Sequence, residues 1–298
     1  MVQKILIIKT GAAGDVVRTT SLLNVLQGDI HWLVDPKNEL IFQDRHQGLT
    51  LITDIQTAFK ELQGKQFDMI LSLEENETCA RLASSIQSKE KIGVILNQQG
   101  ITYNEQAAGW YDMSLISKKG KEEANSLKHS NPFTFQYWLF KMVGKDFKNE
   151  PYVIYRNSSI QQVKGLIGIE TRAGNTWPGK AWGRYDELID LISSEGYQVK
   201  RFSQKENLRD YFDEIASCSC IISGDSLPMH VALAYHIPCL AIFNCTPPGE
   251  IHDYGVLTKI VSPLLKKNLY SRKYDQEVVN SVSVEEVYSA FKRLSLPK

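Results

Sequence analysis

Short apolar runs alternate with helix-like stretches along most of the chain, and that alternation constrains the fold more than any other feature. Residues 4–8, 30–34, 67–71 and 91–95 read as strands, and residues 15–26, 55–62 and 77–86 between them carry helical spacing. Apolar strands separated by helices build a parallel sheet covered on both faces. From Asn97 to about Lys128 the pattern breaks into a polar segment with Gly100, Gly109 and Gly120, followed by a helix at 133–143 and a linker-like Glu150-Pro151. A second series then begins: strand 166–170, helix 185–194, strand 198–202, helix 208–216, and apolar strands at 219–222 and 239–243. Near the end, Ser283 followed three residues later by Glu286 fits a capping box. The chain therefore reads as α/β, with two Rossmann-like, doubly wound parallel-sheet domains at 1–155 and 156–298. A cleft between two such domains is the default binding site.

Charge narrows the partners. Lys and Arg total 34 against 34 Asp and Glu, and the first 150 residues are balanced as well, at 17 against 18. No global field draws such a chain to nucleic acid. No apolar run approaches the ~20 residues needed to cross a bilayer, and no secretory signal is visible, so a cytoplasmic protein is expected. The five cysteines form no CxxC pair and no Cys/His metal spacing. They read as reduced core thiols, with no metal site.

Three loops carry the chemistry. After the first strand comes Lys9-Thr10-Gly11-Ala12-Ala13-Gly14-Asp15, whose small residues allow a tight turn and leave room for a ligand. Asp15 reads as the N-cap of the next helix, or as a base able to take a proton from a hydroxyl. A dinucleotide site is the rival, because Asp35 ends the next strand about twenty residues on. The loop lacks the GxGxxG spacing, however, and Asp15 would set a negative charge where a pyrophosphate must sit. In the second loop, Asn175-Thr176-Trp177-Pro178-Gly179-Lys180-Ala181-Trp182 follows a strand, where Lys180 could balance a diphosphate or simply be solvated. In the third, Ser223-Gly224-Asp225-Ser226-Leu227-Pro228-Met229-His230 joins a strand to a helix, and Thr246 follows the next strand. A helix start of this kind can hold a phosphate, although His230 alone would equally suit a structural hydrogen bond.

Together these segments resemble glycosyltransferase family 9, the ADP-heptose–lipopolysaccharide heptosyltransferases. The Gly14-Asp15 loop, Lys180-Ala181-Trp182, the Asp225–His230 turn and Thr246 occur in the family's order. The resemblance implies the GT-B arrangement, with an acceptor-side N-terminal domain and a C-terminal domain for the nucleotide sugar. It implies an inverting, metal-independent transfer of heptose from ADP-heptose to a glycan hydroxyl, without a cofactor. Asp15 would be the base and Lys180 the partner of the leaving diphosphate. Ala13, Gly14, Asn175, Thr176, Asp225, Ser226, Met229, His230 and Thr246 would join Lys180 around the donor, and Arg18 would face the acceptor. The partners implied are a nucleotide sugar and a surface glycan, with a peripheral contact at the inner membrane face. The chain departs from the family at Arg18, Thr20-Ser21, Asn244 and above all Leu227, which stands for a glycine. Leu227 and the altered acceptor helix favour the alternative of a non-catalytic nucleotide-sugar-binding protein, and an epimerase-like enzyme of the same superfamily is a further alternative.

Overall fold

The computed structural model describes residues 2–43 and 47–297, which divide into two compact units, Met1–Tyr155 and Arg156–Lys298. In the first unit the strands are β1 (Lys4–Ile8), β2 (Asp29–Leu33), β3 (Leu49–Ile52), β4 (Gln66–Ser72), β5 (Gln87–Asn97) and β6 (Gly100–Tyr103). They form one sheet in the order β3-β2-β1-β4-β5-β6. All pairs are parallel except β5 with β6, an antiparallel hairpin in which Leu96 faces Ile101. Helices α1 (Ala13–Thr19), α2 (Ile55–Glu61), α3 (Glu77–Ser85), α4 (Ala108–Tyr111), α5 (Lys121–Ser130) and α6 (Phe135–Met142) complete this unit.

The second unit holds β7 (Leu166–Ile169), β8 (Gln198–Arg201), β9 (Cys220–Gly224), β10 (Cys239–Phe243) and β11 (Leu257–Val261), all parallel, in the order β11-β10-β9-β7-β8. Its helices are α7 (Tyr185–Ser194), α8 (Leu208–Ala216), α9 (Leu227–Tyr235), α10 (Leu265–Asn268), α11 (Gln276–Val279) and α12 (Val284–Arg293). Every residue of β9 and β10 is buried, as expected of central strands in a covered parallel sheet.

Two cores follow from this layering. In the first unit Leu6, Ile8, Leu33 and Ile70 of the sheet pack with Leu82 and Ala83 of α3. In the second, Ile167, Ile169, Ile222 and Ile242 pack with Leu188 and Ile192 of α7 and with Val287 and Phe291 of α12. Side chains cap several helices as the sequence dictates: Asn76 accepts from the Cys79 amide, Asn207 from Arg209, and Ser283 from Glu286. All five cysteines are free and buried. Burial pushes the thiol of Cys218 up to about 12 and that of Cys245 up to about 11.

Three local expectations are corrected. The helix expected at 15–26 starts earlier, at Ala13, and gives way after Thr19 to a tighter 3-10 turn, Thr20–Asn24. There the hydroxyls of Thr19, Thr20 and Ser21 bond back to the carbonyls of Asp15, Val17 and Arg18, and such bonds compete with the regular helical ladder. The segment read as irregular after Asn97 contains β6, α4 and most of α5. Strands β3 and β11, which the apolar pattern does not announce, complete the sheet edges. Among the described residues no helix is long and apolar enough to cross a membrane.

Candidate functional site

Ligands of parallel α/β sheets gather beyond the carboxyl ends of the strands, where the strand order reverses. In the first sheet that reversal lies between β1 and β4, and in the second between β7 and β9. The loops singled out in the sequence leave the sheets at these two points.

At the end of β1, the chain turns through Ala12, which has a positive φ of 33°, and enters α1 at Ala13 and Gly14. Asp15 is the third helical residue, so it does not cap the helix as one reading expected. Instead, its carboxylate meets Arg18 one turn on, at 2.8 Å, and stands 4.0 Å from the Lys9 ammonium. Lys9 is shared: its Nζ lies 3.2 Å from the Glu74 carboxylate at the end of β4. The same Glu74 oxygen accepts the backbone N–H groups of Thr10 at 2.6 Å and Gly11 at 2.7 Å. The Arg18 guanidinium lies over the ring of Phe135, 4.0 Å from its centroid, and within 5.9 Å of Trp110. A cavity of about 80 Å³ opens among Lys9, Asp15, Arg18, Glu75, Trp110 and Tyr111. Burial raises the Glu75 carboxyl above its ordinary range, against the pull of Lys128 and Lys9.

Glu74 also decides the dinucleotide reading. The amides that would face a pyrophosphate are already taken by a carboxylate. Asp35, the would-be ribose acid, accepts from the Lys37 amide and caps the 3-10 turn Pro36–Ile41. The Glu74 contact was not legible in a sequence reading of the loop, because Glu74 is 64 residues from Thr10 and its partners are backbone groups.

At the second reversal, β9 ends at Gly224 and delivers Asp225 into a buried position. Lys180 donates from Nζ to the Asp225 carboxylate and to its backbone carbonyl, both at 2.8 Å. Thr246, just past β10, donates its hydroxyl to the same carboxylate oxygen at 2.6 Å. His230 Nε2 stands 3.9 Å from the other oxygen. Burial alone would raise this carboxyl, but Lys180 and His230 outweigh it, aided by the Thr246 hydroxyl. The Asp225 carboxyl is held well below the usual carboxylate range. The geometry needs Gly224, since a Cβ there would lie 2.8 Å from the Lys180 carbonyl oxygen. Asn244 holds the same loop by donating to the Ala181 carbonyl at 2.7 Å, and Trp182 anchors it by donating to Val282 at 3.0 Å.

The remaining expected donor residues divide. Ser226 sits at the N-cap position of α9, but its hydroxyl turns back to the Gly224 carbonyl at 3.3 Å. Met229 is fully buried, while Asn175 and Thr176 are exposed on the loop before Pro178. Leu227 opens α9 without the positive φ that a glycine-demanding position would show. Sequence reading passed over Glu170 at the end of β7, which is buried and binds Arg172 and the Tyr211 hydroxyl at 2.7 Å each. A carboxylate closing an apolar strand was the available signal.

Comparison with known proteins finds one family along part of the chain. The family model of glycosyltransferase family 9 (heptosyltransferase) matches residues 204–280, a span that contains Asp225, His230 and Thr246. The lipooligosaccharide heptosyltransferase 2 of Haemophilus influenzae is 25% identical over 132 residues, which are 34% of this chain and 37% of that protein. The namesake from Campylobacter jejuni serotype O:6 is 31% identical over 61 residues, 20% of this chain and 19% of that one. The matches thus span about a third or less of these curated relatives. The fold likeness is wider. A glycosyltransferase family 9 structure from Veillonella parvula superposes with a TM-score of 0.66 at 18% identity, covering 98% of this chain and 97% of the other. The E. coli heptosyltransferase WaaC, solved with ADP-2-deoxy-2-fluoro heptose, gives 0.64 at 14% identity, covering 98% and 100%. The resemblance to glycosyltransferase family 9 read from the sequence is borne out, and the chain shares the fold of these two-domain glycosyltransferases.

Proposed function

We propose that this chain, a relative of glycosyltransferase family 9, is an inverting glycosyltransferase that moves heptose from ADP-heptose to a hydroxyl of a surface glycan. The family matched over residues 204–280 supports heptose, and the ADP-sugar bound by the similarly folded WaaC supports ADP. The observation that carries the reading is Asp225, a buried carboxylate kept ionised between Lys180 and Thr246 at the strand-order reversal of the second sheet.

In this reading Asp15 takes the proton of the acceptor hydroxyl as its oxygen attacks the anomeric carbon. The bond from that carbon to the β-phosphate oxygen breaks, and ADP leaves with the electron pair. Lys180 and backbone amides near the start of α9 stabilise the departing charge, a contribution made by groups already in position. Asp225 accepts hydrogen bonds from donor hydroxyls. In this reading Lys180 and the amides, rather than a metal ion, meet the leaving charge.

Calorimetry with ADP, UDP, GDP and NAD against the wild-type protein and Lys180→Ala tests the donor assignment. Selective ADP binding that weakens in the variant supports it. Preference for UDP or GDP discards heptose, and binding of NAD alone discards the whole reading. Asp15→Asn should lower transfer by roughly 10²–10⁴-fold, the usual worth of a positioned base, and a fully active variant would remove Asp15 from that role.

A further inference from the structure

We infer that Glu74 is a positioning residue for Asp15, setting both where that carboxylate stands and how readily it accepts a proton; the inference rests on the reading of Asp15 as the base. Two contacts, which act on different parts of the loop, carry it. Glu74 fixes the backbone that leads into α1, because one of its oxygens accepts both the Thr10 and Gly11 amides. That oxygen also holds the Lys9 ammonium at 3.2 Å, closer than the 4.0 Å from Lys9 to Asp15. Lys9 is therefore divided between two carboxylates, and Glu74 has the larger share. Lys9 and Glu74 are mostly buried, with side chains 11% and 12% exposed, so solvent screens that pair little, whereas the Asp15 side chain is 38% exposed and its contact with Lys9 is screened more.

A base has to be ionised without being too weak to accept a proton. A cation committed to Asp15 would favour the ionised form and depress its basicity. By holding Lys9 and adding a second negative charge beside the site, Glu74 works in the other direction. The other charged or titratable groups around Asp15 are Arg18 on its own helix, Glu75 beyond β4 and Tyr111 on α4, and Lys128 on α5 acts on Glu75 in turn. Arg18 pairs with one Asp15 oxygen at 2.8 Å while Lys9 faces the other, so a substitution at Glu74 acts on the Lys9 side of Asp15.

The test needs no acceptor. Carboxyl ¹³C resonances of selectively labelled aspartate, with Asp15 identified by its loss in Asp15→Asn, give the titration midpoint of Asp15 in the full chain. In Glu74→Gln the amide oxygen still accepts from Thr10 and Gly11, but Lys9 is released to Asp15. The midpoint should then fall by about one pH unit, the lower end of what an added opposite charge does at this range. Lys9→Met should move it upward. An unmoved midpoint in Glu74→Gln overturns the proposal. Should that variant not fold, Lys9→Met carries the test alone, and no rise overturns it. The base assignment fails separately: a fully active Asp15→Asn discards the base yet leaves the measured coupling standing.

Discussion

The two sheets end in the same topological place and do opposite things with charge. Beyond β1 and β4, the loop amides are filled by the protein's own Glu74, and the nearby lysine is drawn toward it. Beyond β7 and β9, the carboxylate is the deeper group, and Lys180 reaches it from a loop held by Asn244 and Trp182. The first end is rich in aromatic rings and carries three carboxylates, Asp15, Glu74 and Glu75; the second sets Asp225 among one lysine, one threonine and one histidine, with Glu170 held by Arg172 and Tyr211 at the end of β7. A doubly wound sheet thus offers a location, and the side chains at the strand ends decide whether that location repels an anion or receives one.

The comparison can be broken most forcefully at Asp225. Asp225→Ala leaves Lys180 without its carboxylate in a largely dry setting. Loss of one partner of a buried ion pair typically costs about 3–5 kcal/mol, and urea unfolding should register a fall of that order. A loss below about 1 kcal/mol, the range of exposed pairs, would mean the second sheet end is no more buried electrostatically than the surface. The same pair makes an acid prediction. The folded Asp225 carboxyl titrates below its unfolded value, so its contribution is complete above pH ~5 and fades as pH falls through about 4 and lower. Wild-type stability should slope downward in that acid window, and Asp225→Asn should flatten part of the slope.

Gly224→Ala is gentler. Its Cβ would press on the Lys180 carbonyl, and overpacking of this kind costs about 1–3 kcal/mol. ADP affinity should fall with it; unchanged affinity would separate the lysine loop from the nucleotide. Smallest is Ser283→Ala, which removes the cap of α12 for about 1 kcal/mol and should leave ADP binding alone. If it weakens binding as much as Gly224→Ala does, the effects at the second sheet end reflect general loosening of the unit.

Much of this was legible in the sequence, for reasons that differ by residue. The spans of α7, α8 and β10 follow from apolar spacing, because parallel strands and amphipathic helices leave a strong local pattern. Strand β3 left little trace: it has four residues, only one of them fully buried, and Thr50 lies exposed. Lys180, Asp225 and Thr246 were picked out by local strings. Their mutual contacts, across 21 to 45 residues of sequence, needed the sheet. Glu74 was beyond reach altogether, since nothing near it in the chain shows that its partners are amides of a loop 63 and 64 residues away. Asp15 was recognised as a candidate base, yet its cap role was misplaced because the helix starts two residues earlier, from a strained Ala12.

The buried cysteines give each unit its own clock. Of the five, Cys79 belongs to the first unit, while Cys218, Cys220, Cys239 and Cys245 belong to the second. A thiol reacts as its thiolate, and these thiols are both covered and hard to deprotonate. Alkylation of the native protein therefore waits for an opening event. Peptide mapping after short exposures to reagent would read the first unit from one site and the second from four, timing how often each sheet comes apart without any substrate present.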